Sequence, residues 1–118
     1  MEFKETNEYK KDLKKLAKRF KTLPEDIEVL KKVLETEPDE RPPISARVGG
    51  LGAAENIIKV RKIACKSMKG KGSNTGLRMI YCYKKKEEEI ILIELYFKGD
   101  KENEERDRIK SWCKGDGK

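Results

Sequence analysis

The sequence predicts an α+β fold: an antiparallel β-sheet with an N-terminal αα-hairpin packed on one face and a short C-terminal helix. Three observations carry that prediction. Apolar residues recur at helical spacing in two consecutive segments near the N-terminus, they alternate with period two in the segments that follow, and a run of prolines and glycines divides the two regimes. With 118 residues there is material for one hydrophobic core, so residues 1–118 are expected to form a single domain.

Met1 to Glu5 is a short opening strand, with Phe3 as its sizeable apolar residue besides Met1. Tyr9, Leu13, Leu16, Ala17 and Phe20 then mark one face of an amphipathic helix over about Asn7 to Lys21, with lysines on the other face and Thr6 or Asn7 as its cap. Thr22 and Glu25 have the spacing of a capping box, and Pro24 sits in a first turn where its missing N–H costs nothing. The second helix is expected to end near Thr36, before Pro38, burying Ile27, Leu30, Val33 and Leu34. So short a link makes the pair an antiparallel hairpin, and its apolar stripes need a sheet to lie on.

Pro38 to Glu55, with its Gly49-Gly50-Leu51-Gly52 run, is the crossing to the sheet; no Gly-Lys-Ser/Thr follows, which argues against a nucleotide loop. Ile58 and Val60 alternate before a loop rich in Gly, Ser, Asn and Lys, and Leu77, Met79, Tyr81 and Tyr83 alternate after it. Lys84-Lys85-Lys86 facing Glu87-Glu88-Glu89 suggests a turn with lysine paired against glutamate. The strand Ile90 to Lys98 follows. Strict alternation places Ile91, Ile93, Leu95 and Phe97 on one face, and Glu94, Tyr96 and Lys98 on the other with Ile90 and Leu92. Asp100 is a possible cap for a last helix that docks Ile109, Trp112 and Cys113. The sheet face opposite the hairpin is expected to be open.

Charge is distributed unevenly. The formal net charge is +7, yet residues 41–86 carry twelve basic side chains against Glu55 alone. Within Ile57 to Lys86 there are ten Lys or Arg and no Asp or Glu. A cationic surplus confined to one hairpin points to an anionic partner, either a phosphate backbone or an acidic protein. The competing explanation is that strand lysines confer solubility and block edge pairing.

Other classes are disfavoured. Charged residues make up 43% of the chain, and its longest aliphatic run is Ile90 to Ile93, so no membrane partner is expected. MEFKETNEYK lacks an apolar signal region. Three cysteines without a C-x-x-C, in a chain with no histidine, read as thiols in a reducing cytoplasm, with neither metal nor cofactor.

Leu51-Gly52, Ile58-Lys59-Val60-Arg61, Gly76-Leu77-Arg78-Met79-Ile80-Tyr81 and the apolar strand ending Tyr96-Phe97-Lys98, taken in this order behind an αα-hairpin, resemble the RelE/ParE superfamily of toxin–antitoxin toxins. The resemblance implies a small toxin of a type II system, held inactive by a cognate antitoxin. In the RelE branch such a protein acts on the ribosome and mRNA as a metal-independent endoribonuclease. In the ParE branch it blocks DNA gyrase without nuclease activity. A basic nucleic-acid-binding module without toxicity is a third reading.

Metal-free RNA cleavage needs a base for the ribose 2′-hydroxyl, cations for the crowded phosphorane and an acid for the leaving oxygen. With histidine missing, a lysine among like charges could act as base. The resemblance implies Lys59 and Arg61 near the attacking hydroxyl, Arg78 on the phosphate, and Lys98 on the phosphate or leaving group. A structural reading competes, in which Arg61 and Arg78 pair with Glu94 while Lys59 and Lys98 solubilise strand ends. Lys66, Lys69 and Lys71 are expected to touch nucleic-acid phosphates, with Tyr96 as a stacking platform for a base and Tyr81 in the core. RelE-type members carry a tyrosine beyond the last strand; here Trp112 is the only aromatic residue beyond Phe97.

Overall fold

The computed structural model describes residues 1–49 and 56–113, apart from the Cys113 side chain. Along the chain come β1 (Glu2–Glu5), α1 (Asn7–Ala17), α2 (Leu23–Thr36), β2 (Ser45–Arg47), β3 (Asn56–Val60), β4 (Leu77–Lys84), β5 (Glu89–Phe97) and α3 (Arg106–Cys113). One five-stranded sheet is ordered β1-β5-β4-β3-β2. All its pairings are antiparallel except that of β1 with β5, which is parallel. This is the expected α+β architecture, with an extra strand: β2 lies inside the segment read as a crossing, where three residues beside prolines offer no alternation to detect. Gly50, Leu51, Gly52 and Glu55 lie outside the described residues.

The helical hairpin covers one face. Tyr9 and Leu16 of α1, with Leu23, Ile27 and Leu34 of α2, are buried against Ile58, Val60, Leu77, Met79, Tyr81, Ile90, Leu92 and Leu95. Thr6 caps α1, its Oγ1 accepting from the Tyr9 N–H at 3.1 Å. The stripe of α2 runs through Leu23, Ile27, Leu30 and Leu34; Val33, expected inside, falls off that line and is 43% exposed. Tyr81 is core, its hydroxyl donating to the Pro38 carbonyl at 2.6 Å.

The expected capping box does not form. Thr22 sits in a helical conformation and makes no side-chain cap bond. It serves the long loop instead: its hydroxyl accepts from the Ser67 N–H at 2.9 Å and donates to Asp26, while its own N–H donates to Ser67 Oγ at 2.8 Å. Asp26 also accepts from the Lys66 N–H. The loop between β3 and β4 is thereby fastened to the α1–α2 junction.

A bulge in β5 overturns the expected side-chain alternation. Ile80 pairs with Glu94 but Tyr81 pairs with Leu92, so β5 carries one residue more than its partner across that step. Ile90, Leu92 and Leu95 consequently face the hairpin helices, whereas Ile91 and Ile93 join the cluster on the opposite face. Strict period-two reading had exchanged these sets at the C-terminal half of the strand. The bulged backbone is satisfied locally: Ile93 O accepts from Thr6 Oγ1 and Arg108, and Leu95 N–H donates to Asp12.

The opposite face is open only in part. Ile109 and Trp112 of α3 close over Ile57, Ile80, Cys82, Ile91 and Ile93. Asp100 does not cap this helix; it pairs with Arg19 at 2.6 Å. The N–H of Glu105, just ahead of α3, donates instead to Glu94 Oε1 at 2.9 Å. At the β4–β5 turn Lys84 stands opposite Glu89 in register, but Glu89 pairs with Lys4 of β1 at 3.0 Å.

Candidate functional site

Beyond the reach of α3, the same sheet face turns cationic. Strand register places Lys59, Ile80 and Glu94 in one row across β3, β4 and β5, and Arg78 beside Tyr96 in the next row outward. Arg61 follows β3 alongside Arg78, whose Nη1 donates to the Arg61 carbonyl at 2.8 Å. Lys98 follows β5, its N–H donating to Gly76 O at 2.8 Å. Gly76 has a φ of +86°, and a Cβ there would meet the Phe97 ring at 3.2 Å, so glycine lets the chain turn tightly into β4 just ahead of Arg78.

The result is a cleft of about 230 Å³ lined by Lys59, Arg61, Arg78, Lys98, Glu102 and Asn103. All four residues singled out as catalytic therefore line one depression. Arg61, Arg78 and Lys98 also line the adjoining hollow with Pro43, Lys62, Asn74 and Gly76. Among the described residues, no carboxylate pairs with Arg61, Arg78 or Lys98. The alternative in which Arg61 and Arg78 pair with Glu94 is not realised: Glu94 is buried and engages Lys101 at 2.5 Å.

Lys59 differs from its neighbours. Its ammonium lies 2.8 Å from Glu104, with the two side chains 12% and 9% exposed. Burial opposes the charge, but the hydrogen bonds to Glu104 and Tyr96 prevail, so the Lys59 ammonium holds its proton more tightly than an ordinary lysine. Glu104 is the complement. Burial works against its carboxylate, yet Lys59 and then Arg106 keep the group more acidic than usual. Pairing with Glu104 accordingly favours the ammonium form of Lys59, the opposite of the direction in which crowding by like charges would move it.

Tyr96 also departs from expectation. It is 4% exposed, and the ammonium groups of Lys59 and Lys101 stand 5.8 and 5.4 Å from its ring centre. An arriving base could not stack on it without displacing these neighbours. Burial raises its phenol, partly offset by Lys59. Lys66, Lys69 and Lys71 are exposed on the β3–β4 loop and do not line the cleft.

Sequence reasoning passed over Glu102, Asn103 and Glu104. They belong to the segment between β5 and α3, which has no periodicity to read. Ion pairs tether that segment, Asp100 to Arg19, Lys101 to Glu94 and Glu104 to Lys59, and within α3 Arg108 pairs with Asp12 at 2.7 Å.

No family model and no curated protein matches the chain. Its fold is similar to that of a metal-bound toxin from Helicobacter pylori known from a crystal structure, with a TM-score of 0.52 and 22% identity, covering 86% of this chain and 98% of that one. At that identity the likeness speaks for the fold. Among the described residues, no group of three or more His, Cys, Asp or Glu could hold a metal ion. Among the described residues, no helix is long and apolar enough to cross a membrane.

Proposed function

We propose that this protein is the toxin of a type II toxin–antitoxin pair and cuts mRNA on the ribosome by metal-independent attack of a ribose 2′-hydroxyl on its own phosphate. The observation that carries this reading is the cleft itself, in which four cations from the β3, β4 and β5 ends line one depression and three have no carboxylate partner among the described residues. A phosphate diester is the ligand such a cluster suits. Guanidinium groups grip its non-bridging oxygens, and their charge favours the phosphorane, which carries more negative charge than the ground state. Arg61 and Arg78 take that role, Lys59 adds a fixed positive charge behind them, and Lys98 is the proton donor to the leaving oxygen. Lys66, Lys69 and Lys71 supply outlying phosphate contacts. The similarity in fold to a toxin supports the toxin part of this reading, the resemblance noted in the sequence implies a cognate antitoxin, and action on ribosomes requires a cytoplasmic protein.

Two observations favour a second reading, a ParE-like block of DNA gyrase without chemistry: Lys59 is locked to Glu104, and Tyr96 is buried. Induced expression separates the two. The RNA reading predicts growth arrest with new 5′ ends inside translated messages and intact chromosomal DNA. Gyrase-dependent DNA breaks with unbroken messages would replace it with the second reading. No arrest at all would favour a non-toxic nucleic-acid-binding module.

A further inference from the structure

Phosphate binding is only half of the chemistry, because the 2′-hydroxyl proton must also be accepted by something. Resting on the RNA-cutting reading above, we propose that Glu102 is the general base of the cleft. The lining residues leave few choices. Guanidinium groups such as Arg61 and Arg78 do not give up their protons in proteins, and the Asn103 amide is no base. Lys59 is held as an ammonium by Glu104. Lys98 is needed as the acid. That leaves one carboxylate in the cleft.

Its neighbours in the chain show why it is distinctive. Glu94 accepts from the Glu105 N–H and pairs with Lys101, Glu104 pairs with Lys59 and Arg106, and Glu105 pairs with Lys101 and Arg108. Glu102 is exposed and has no ion-pair partner among the described residues, so its lone pairs are available to a substrate. It also arrives from the segment after β5, whereas Arg61 and Arg78 belong to the β3 and β4 ends. A ribose and its phosphate lodged in the cleft would meet carboxylate and guanidinium groups contributed by different parts of the chain.

The step balances as follows. The Glu102 carboxylate takes the 2′-hydroxyl proton as the 2′-oxygen bonds to phosphorus. The bond from phosphorus to the 5′-oxygen breaks, and that oxygen takes a proton from the Lys98 ammonium. The products are a 2′,3′-cyclic phosphate and a 5′-hydroxyl, with Glu102 protonated and Lys98 neutral until both exchange with water.

The test is single-turnover cleavage of a short mRNA in the A site of 70S ribosomes, measured over pH 4 to 9 for the wild type, Glu102→Gln, Glu102→Asp and Arg78→Ala, with ribosome affinity measured in parallel. Glu102→Gln should lose about 100-fold or more in cleavage at unchanged affinity. It should also lose the acid limb of the pH profile, while Glu102→Asp recovers most of the rate. Cleavage by Glu102→Gln at the wild-type rate, with Arg78→Ala still dead, would overturn the assignment and leave the RNA reading standing. Parallel loss of affinity and cleavage would also overturn it, since Glu102 would then be a binding or structural residue. A wild type that leaves the mRNA intact removes both readings together.

Discussion

One face of this sheet has two ends built on opposite chemistry. At one end Ile57, Ile80, Cys82, Ile91 and Ile93 lie beneath Ile109 and Trp112 of α3. At the other, the same three strands or their extensions present Lys59, Arg61, Arg78 and Lys98. In β3 the change from Ile57 to Lys59 takes a single step of two residues, and in β4 it is the step from Ile80 to Arg78. The helix covers the face as far as the apolar rows extend. Where the rows turn cationic, the segment ahead of α3 brings one carboxylate, Glu104, to the inner lysine and leaves the outer cations without an ion-pair partner among the described residues. Burial explains the first end completely. It does not explain the second, where three cations line one depression with no ion-pair partner among the described residues and their like charges repel one another.

The largest effect that sharpens this contrast lies at the open end. Arg78→Ala should reduce RNA cleavage by roughly 100- to 1000-fold, as removal of a donor to a developing oxyanion does, while changing the denaturation midpoint little; a rate within threefold of wild type would separate the cleft from the chemistry. At the covered end, Trp112→Ala should cost about 3 kcal/mol in chemical denaturation, with exchange protection lost first in α3. If that variant leaves α3 protected, the helix is held by its ion pairs and not by the apolar rows.

The boundary gives a third, smaller effect. Glu104→Gln should destabilise by roughly 2 kcal/mol near neutral pH by stranding the Lys59 ammonium, with a sign fixed by the direction of both shifts. The Glu104 carboxyl is held below its ordinary value of 4.5, so the contribution of the pair is complete above that pH and fades as pH falls through the lowered value. The Lys59 ammonium is held above 10.5, so on the alkaline side the contribution is complete below that pH and fades as pH rises through the raised value. Denaturation curves of wild type and Glu104→Gln that converge under acid, and differ at pH 7, are the expected observation; a gap that widens under acid would reverse the sign. Smallest of all, Lys69→Ala should leave stability within about 0.5 kcal/mol and lower the salt-dependence slope of nucleic-acid binding by about 1. An unchanged slope would remove the loop from the interface.

How much of this was legible in the sequence depended on periodicity. Both hairpin helices announced themselves by spacing, as did β4, where Leu77, Met79, Tyr81 and Tyr83 all turn toward the helices. In β5 the inserted residue at the bulge shifted the phase, and no pattern of apolar residues could reveal a shift in a strand buried on both faces. Thr22 shows a similar limit: its local signature is that of a cap, but Ser67, 45 residues away, claims its hydroxyl. The four cleft cations were readable because Lys59 and Arg78 sit at regular strand positions and Arg61 and Lys98 come one residue past the ends of β3 and β5. Glu102 and Glu104 were not, since only the return of an irregular segment over the sheet brings them there. Lys59 was legible as a position but not as a chemical state, which the unforeseen Glu104 decides.

The central claim is that position, not net charge, makes the open end a phosphate site. The direct test compares cleavage of ribosome-bound mRNA by two variants with equal charge loss: Arg61→Ala with Arg78→Ala in the cleft, and Lys11→Ala with Lys14→Ala on the exposed face of α1. The account predicts that the cleft variant loses cleavage by roughly 1000-fold, while the helix variant stays within about threefold of wild type, a size attributable to weakened steering. Equal losses in the two variants would contradict it.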